Sequence, residues 1–233
     1  AADQDIFNIK VMLIGDEIPE HHPADTNPDW SLSINEVTGY GAAWVLGNDW
    51  ANGHTPEIGY ATRAGFLWLN GEEYFYDSAE TAPMCWGPVG ADGGGARPIG
   101  KMSSSSGVKN LSGRFKDGVI KLNLKDSISC QAIELVLSEN FKANSISHEG
   151  SYDKTSGKIR WGPFFGGEDR VLEARLDDQP EQGSISRIVY SVDGAVSQFA
   201  LIPNKKLIHI PNDSPRLVYQ SNERLILFGK PGG

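Results

Sequence analysis

The chain has 233 residues, of which 39% are hydrophobic and 22% are charged, and this composition is typical of a folded protein. Its formal net charge is −9 with only 21 lysines and arginines, and no basic run is long enough to form a local patch, so nucleic acid is excluded as an expected partner. No stretch approaches the roughly 20 consecutive apolar residues that a membrane helix needs, which predicts a chain that does not span a membrane.

The N-terminal residues have the pattern of a mature exported chain that begins with a strand. Residues 1–5 lack an initiator Met and consist of two small residues followed by polar ones, as expected after cleavage of a signal peptide. This pattern indicates an extracellular or cell-surface location. Every second residue of the segment at residues 7–13 is apolar, which predicts a strand whose buried face is made of Phe7, Ile9, Val11 and Leu13.

An internal near-repeat occupies residues 38–47 and 62–71. Thr, Gly, Trp and Gly coincide in the two segments at an offset of 24 residues. Because two copies are too few for a solenoid, we interpret them as two similar strands that end in glycine turns. Asn70-Gly71 is a hairpin signal, which predicts a return strand at residues 73–76. No window of about ten residues has a convincing period of 3.6, so little helix is expected.

The rest of the chain divides into a linker, a second module and a C-terminal extension. Residues 91–107 are rich in Gly and Ser and have hardly any apolar content, as expected for a linker. About seven short alternating strands within residues 108–202 predict an immunoglobulin-like sandwich. Residues 203–233 contain one or two further strands. The predicted fold class is all-β, with two β-sandwich modules, an aromatic-rich one at residues 1–90 and the immunoglobulin-like one, and with strand-like terminal segments.

Two stretches resemble modules of large secreted bacterial surface and matrix proteins that are built from tandem β-sandwiches. The first stretch comprises residues 34–38, 60–72 and 85–86. The second comprises Gly-Ser-Tyr-Asp at residues 150–153 and Gly-Lys-Ile-Arg-Trp-Gly-Pro-Phe-Phe at residues 157–165, which is similar to the G-K-x-x-W-G-P-F strand motif of such repeats. The resemblance implies an exported, multi-module, non-enzymatic surface or matrix component, and it implies no catalytic residues.

Four side chains with oxygen or amide groups have the spacing of part of a calcium loop. With Asp25 at position one, Asn27 and Asp29 fall at positions three and five, and Glu36 falls at position twelve. Trp30 stands at position six, where the sharp turn of a calcium loop requires Gly. The segment is therefore either a calcium site or a solvated turn. The sequence suggests no cofactor other than calcium.

Two cysteines and two tryptophans are further candidates for special roles. Cys85 and Cys130 match no zinc or redox spacing, and they form either one disulfide or two small buried hydrophobic residues. Trp30 and Trp50 are surrounded by polar residues. They could provide an aromatic platform for a glycan, or they could pack like other aromatic residues of a small sandwich.

No constellation of residues in the sequence supports a catalytic site. The Ser-x-x-Lys match at residues 151–154 lies in turn-rich sequence and is interpreted as chance, and no nucleophile elbow or phosphate loop occurs. The sequence therefore predicts a non-catalytic extracellular structural subunit of a surface layer, matrix or filament. Such a subunit self-associates or binds neighbouring surface-protein subunits through sheet edges and terminal strands. The alternative is a carbohydrate-binding or adhesive module of a larger secreted protein.

Overall fold

The computed structural model describes residues 21–90, 110–125, 129–137, 141–177, 186–202 and 207–210, together with the backbone of residues 218–221 and 224–227. Two helices come first, α1 (Ile34–Leu46) and α2 (Ile58–Leu69). The strands that follow are β1 (Tyr74–Tyr76), β2 (Trp86–Pro88), β3 (Leu111–Lys116), β4 (Val119–Leu124), β5 (Cys130–Val136), β6 (Ala143–Ile146), β7 (Ser151–Asp153), β8 (Lys158–Phe165), β9 (Arg170–Leu176), β10 (Ser186–Val192), β11 (Ala195–Leu201), β12 (Ile208–Ile210), β13 (Val218–Ser221) and β14 (Arg224–Leu227). The strand predicted at residues 7–13 and the linker predicted at residues 91–107 lie outside the described residues.

Two antiparallel sheets form a β-sandwich. One sheet has four strands in the order β3-β4-β9-β6, and the other has six strands in the order β12-β11-β10-β5-β8-β7. The orders β3-β4-β9-β6 and β11-β10-β5 are those of strands A-B-E-D and G-F-C in an immunoglobulin-type sandwich, to which β7, β8 and β12 are added. The prediction of an all-β, sandwich-type fold is therefore confirmed.

The inner faces of the two sheets meet in the main hydrophobic core. In β4, Ile120, Leu122 and Leu124 are buried, whereas the residues between them reach solvent, as a period of two requires. Ile133 and Leu135 of β5 belong to the same core from the opposite sheet. Burial of each such aliphatic side chain contributes about 1.5–3 kcal/mol, so this core holds the two sheets together.

The central strand β5 is buried on both of its faces. Ile133 and Leu135 face the four-stranded sheet, whereas Ala132 belongs to a second core that includes residues of the helices. A strand that is covered on both sides shows continuous burial in place of alternation. The helices thus form a third layer over the outer face of the six-stranded sheet, in contact with β5, β7, β8, β10 and β11.

The strands predicted at residues 38–47 and 62–71 are wrong, because these segments form most of α1 and α2. A capping box starts α1: Ser33 Oγ accepts from the Glu36 N–H at 3.3 Å, and Glu36 Oε2 accepts from the Ser33 N–H at 3.0 Å. The helix ends at Gly47, whose φ of 72° is a left-handed conformation that glycine adopts readily. These signals at both ends of the segment favour a helix over a strand, and the two short helices agree with the expectation of little helix. Within the described ranges, no helix is long and apolar enough to cross a membrane.

The near-repeat reflects two helices that press glycines against the same sheet. In α1, a Cβ atom at Gly41 would come within 3.1 Å of the Pro163 ring. In α2, a Cβ atom at Gly65 would collide with Cys130 Sγ. Because glycine has no side chain, each helix approaches the sheet closely at this point. Gly41 and Gly65 occupy equivalent positions of the near-repeat, which therefore records helix packing and not strand turns.

The hairpin predicted at Asn70-Gly71 is also wrong. Asn70 caps the C-terminus of α2, where its N–H lies 3.1 Å from the Leu67 carbonyl oxygen. The return strand predicted at residues 73–76 is present as β1, which pairs with β2 and not with the preceding segment. Within the predicted C-terminal extension, β12 joins the six-stranded sheet and β13 pairs with β14.

Candidate functional site

A buried polar and aromatic cluster lies beside the two helices. Its centre is His22, whose fully buried ring lies 4.9 Å from the Trp86 ring and 5.8 Å from the Tyr40 ring. The pKa of His22 is lowered to about 3 by burial and, to a smaller extent, by the charge of Arg63, against an opposing hydrogen bond with the Tyr60 backbone. The ring is therefore neutral at pH 7 and packs as an aromatic residue.

Asp25, the first predicted calcium ligand, is held by hydrogen bonds within the same cluster. Its Oδ2 accepts from the Tyr74 hydroxyl at 2.6 Å and from the Trp30 N–H at 3.2 Å. The Tyr74 oxygen accepts from the His22 N–H at 3.0 Å. Burial and the bond to Asp25 raise the pKa of Tyr74 well above its usual range, so its hydroxyl stays a donor. Asp25 therefore acts as an internal acceptor.

The other predicted calcium ligands are committed to local hydrogen bonds. Glu36 accepts from the N–H and hydroxyl of Thr26 through Oε1, and from those of Ser33 through Oε2. Burial raises the pKa of Glu36, but these hydrogen bonds together lower it below the usual value. Asp29 accepts from the side-chain amide of Asn27 at 2.9 Å. In the described part of the chain, no three His, Cys, Asp or Glu side chains are placed to hold a metal ion. The calcium-like spacing belongs to a turn that leads into a helix cap.

Cys85 and Cys130 are free thiols, so the structure shows two buried residues in place of a disulfide. Their exposed fractions are 1% and 0%, respectively. Burial raises the pKa of both thiols. Because the thiolate is the reactive form of cysteine, both residues are held in an unreactive state.

Trp30 and Trp50, the predicted glycan platform, are half-buried and pack against the cluster. The Trp30 ring lies 4.2 Å from the His21 ring and 5.5 Å from the Tyr74 ring. The Trp50 ring meets the Tyr40 ring edge-on at 5.5 Å. Stacking on a sugar requires an open ring face, whereas these rings contact protein neighbours. The geometry therefore favours the packing alternative for both.

No sequence motif predicted the polar contacts that join the helices to the sandwich. Arg63 of α2 is fully buried, and it donates from Nε to the Trp86 carbonyl at 2.7 Å and from Nη1 to the Asp193 carbonyl at 3.1 Å. The Asp193 carboxylate accepts from the Cys130 N–H at 2.7 Å. Burial lowers the pKa of Arg63 to about 10 against the opposing charge of Asp193, and burial raises the pKa of Asp193. The sequence signal for these contacts was Arg63 itself, a charged residue in a helix that has no other charged side chain.

The surface element best placed to contact another molecule is the edge strand β3. It pairs with β4 alone among the described strands. The two-residue loop after β3 makes Lys116 and Val119 the closing hydrogen-bonded pair of the hairpin. Because bonded and non-bonded pairs alternate in an antiparallel ladder, the main-chain groups of Leu111, Gly113 and Phe115 point away from β4. An added strand could pair with these groups.

The other three edges of the sandwich are less suited to strand addition. β3 has six residues, whereas β7 and β12 have three residues each. The fourth edge strand, β6, has four residues and an irregular register against β9. Short and bulged edges resist pairing with another chain, so β3 is the favoured edge.

Similarity to known proteins is slight. No protein-family model matches the chain, and no curated protein matches it. Among solved structures, the chitin-binding domain ChBD2 from Thermococcus kodakarensis KOD1 matches with a TM-score of 0.30 and 16% sequence identity, over 37% of this chain and 91% of that chain. A TM-score this low does not establish a shared fold.

Proposed function

We propose that the chain is a non-catalytic structural subunit of an extracellular assembly and that it docks on neighbouring subunits through the edge of its four-stranded sheet. The observation that carries this proposal is the six-residue edge strand β3, whose outward main-chain groups pair with no described strand. In strand addition, main-chain hydrogen bonds provide affinity and alternate side chains provide specificity. An open edge of this kind also carries a risk of aggregation, which favours a dedicated partner strand.

The segment at residues 7–13 is the proposed partner strand. Its apolar residues alternate with the others, so that one face is suited to burial. The strand β3 has the same character, since Leu111 and Phe115 are buried while the residues beside them are exposed. The segment of one subunit adds beside β3 of the next subunit. Repetition of this head-to-tail contact produces a filament or a layer.

The buried titratable groups favour a non-catalytic role. His22, Asp25 and Tyr74 are linked by hydrogen bonds inside the cluster, and Arg63 donates to main-chain oxygens. General acids and bases must reach the proton that they transfer in a bound substrate. These side chains are at most 8% exposed, which supports a role in stabilising the fold.

Removal of residues 1–14 tests the proposed assembly. We expect the shortened chain to remain a folded monomer, because residues of the sandwich strands pack together in one described core and residues of the two helices pack with strand residues in the other. We also expect it to lose the assembly that the whole chain forms, because the partner strand is missing. Sedimentation velocity over a range of protein concentrations measures the assembled mass, and circular dichroism checks the fold. Continued assembly of the shortened chain would contradict the proposal.

Point variants separate the two faces of the proposed partner strand. Ile9→Asp and Val11→Asp place a charge on the face that becomes buried, and we expect each to weaken assembly about tenfold or more. Asn8→Asp adds the same charge to the opposite face and is the matched control, which should assemble like the parent chain. An equal loss in all three variants would mean that charge, and not strand packing, controls assembly.

A second candidate function is a carbohydrate-binding or adhesive module of a larger secreted protein. The observation in its favour is the outward face of the four-stranded sheet, where residues of β3, β4 and β9 alternate between core and solvent. Trp30 and Trp50 belong to the helical side of the molecule and not to this face. A glycan array probed with the whole chain tests this candidate. Binding that persists in Trp30→Ala and Trp50→Ala supports the sheet face, whereas its loss in a folded Trp50→Ala variant would return the site to the aromatic cluster.

A further inference from the structure

The outward face of the four-stranded sheet concentrates positive charge that is dispersed in the sequence. Alternation along β3, β4 and β9 directs to solvent the side chains that we call the basic face, namely Arg114, Lys116, Lys121, Arg175 and the carboxylate of Glu173. Across the strands, Arg114 is in register with Lys121, and Lys121 is in register with Glu173. The sheet therefore builds a basic patch although the sequence has no basic run.

The basic face contains a like-charge pair that costs stability. Arg114 and Lys121 lie directly opposite each other on neighbouring strands, and like charges in this position destabilise a sheet. Lys121 Nζ gains a partner in Glu173 Oε1 at 2.6 Å. In the part of the chain that the structure describes, neither Arg114 nor Arg175 is within ion-pair distance of a carboxylate. The ion pair of Lys121 with Glu173 offsets only part of this cost, and a local cost that is not fully offset is expected at a binding surface.

The local charge of the basic face acts on a ligand despite the net charge of −9. Side chains on adjacent strands are about 5 Å apart, and salt screens charges beyond about 8 Å at physiological ionic strength. The cations of the basic face therefore act together on an anion at the surface. Acidic residues on other sides of the molecule are largely screened from it.

A shallow depression opens on the basic face beside Arg175. It has a volume of about 140 Å³ and is lined by Val119, Ser145, Ile146, Ser147, Glu173 and Arg175. Pockets that enclose a whole small molecule usually have about 300–1,000 Å³, so this depression fits one substituent of a larger ligand. The ligand that suits the site is a chain that lies flat on the sheet and places an anionic group beside Arg175.

We infer that the basic face binds an acidic polysaccharide, a polymer of sugar rings with carboxylate or sulfate groups. The cations recognise the anionic groups through charge-assisted hydrogen bonds. Glu173 lies among them and can only accept hydrogen bonds, which suits sugar hydroxyl donors and disfavours a continuous phosphate backbone. This inference rests on the second candidate function and deepens it, and it does not depend on strand addition at the edge.

Binding to polygalacturonate, a polymer of uronic acid, tests the inference. The whole chain is measured by biolayer interferometry on the immobilised polymer, with neutral dextran and double-stranded DNA as comparison surfaces. We expect binding to polygalacturonate that weakens with added salt, and weaker binding to both comparison surfaces. The double variant Arg114→Ala/Arg175→Ala should lower the affinity about tenfold or more, because two charge-assisted contacts are lost.

The matched control is Arg187→Ala, which removes an exposed cation from the opposite sheet. It should leave the affinity within about twofold of the parent chain, and thermal melts confirm that all variants are folded. Absence of polygalacturonate binding, an equal loss in Arg187→Ala, or equally tight binding to DNA would overturn the inference. Binding to neutral glycans that survives in the double variant would also overturn it, but would leave the carbohydrate-binding candidate standing.

Discussion

The guanidinium of Arg63 donates to the main-chain oxygen of Asp193 at 3.1 Å, across 130 residues of sequence. The carboxylate of the same Asp193 accepts from the Cys130 N–H, at the start of β5. The turn between β10 and β11 therefore contacts two elements. Its main chain accepts a hydrogen bond from α2, and its Asp193 side chain accepts one from the first residue of β5. The helical layer and the sandwich are joined at this point by buried polar contacts as well as by apolar packing.

Arg63→Ala should be strongly destabilising. The substitution removes the hydrogen bonds from Arg63 to the carbonyl groups of Trp86 and Asp193 and opens a cavity beneath α2. We expect the free energy of unfolding to fall by about 3 kcal/mol or more, as measured by urea denaturation. Arg187→Ala, at an exposed position, is the control and should change it by about 0.5 kcal/mol at most. Similar values for the two variants would show that the Arg63 contacts contribute little.

Thr62→Val should be more costly than Thr38→Val, although the two threonines occupy equivalent positions of the near-repeat. Thr62 Oγ1 accepts from the Gly194 N–H at 3.0 Å and lies 2.6 Å from Ser191 Oγ, and all three groups are buried. Valine keeps the shape but leaves these partners unsatisfied, so we expect a loss of about 1–3 kcal/mol. Thr38 is exposed, and the bonds of its hydroxyl to described residues are to carbonyl groups of its own helix. Chemical denaturation of both variants makes the comparison, and equal losses would refute it.

Gly65→Ala should destabilise the protein in spite of the higher helix propensity of alanine. The new methyl group would collide with Cys130 Sγ, and overpacking of this kind costs about 1–3 kcal/mol against a propensity gain of about 0.5–1 kcal/mol. Gly41→Ala is the matched control in α1, because its nearest neighbour, the Pro163 ring, lies 3.1 Å away and a small shift is sufficient.

A double variant checks the cause of the Gly65→Ala effect. If the collision with Cys130 Sγ is responsible, Cys130→Ala should be less costly in the Gly65→Ala background than in the parent chain, and a double-mutant cycle measures the coupling. Additive effects would exclude this collision as the cause.

Protonation of His22 should oppose folding in mild acid. In the unfolded chain this residue binds a proton near its ordinary pKa of 6.5, whereas the folded ring stays neutral down to about pH 3. Its contribution to stability is therefore complete above pH 6.5 and is lost as the pH falls towards 3, by up to about 1.4 kcal/mol per pH unit.

The test compares the pH dependence of the unfolding free energy in two variants. His22→Asn removes the titrating group and should reduce the acid slope between pH 6.5 and 3, whatever its effect at neutral pH. His54→Asn, the same substitution at an exposed position, is the matched control. An unchanged slope in His22→Asn would mean that other groups cause the acid sensitivity.

The second half of the chain could be predicted from its sequence, whereas the first half could not. Alternation at Ile120, Leu122 and Leu124 correctly identified a half-buried strand, because only one face of β4 meets the core. In residues 38–47, the shared Thr, Gly, Trp and Gly are three residues apart, which is close to the helical period and was the signal for α1. Apolar residues fill the gaps between them and obscure that period.

The site depended on contacts that no local pattern contains. The outward direction of Arg114, Lys121 and Arg175 follows from alternation within their strands. Their proximity does not, because β9 pairs with β4 across a long stretch of intervening sequence. In the same way, the bond between Tyr74 and Asp25 joins residues 49 positions apart. Motif spacing therefore suggested a calcium loop where the fold places an internal acceptor and a helix cap.

The burial of β5 on both faces limits how the molecule can be divided. A recombinant fragment that begins near residue 108 would leave Ala132 and Val189 uncovered, and such apolar surfaces are where chaperones bind and inclusion bodies grow. During synthesis the helices leave the ribosome before the sheet that they cover. The helices can therefore pack stably only after the strands of the six-stranded sheet have been synthesised.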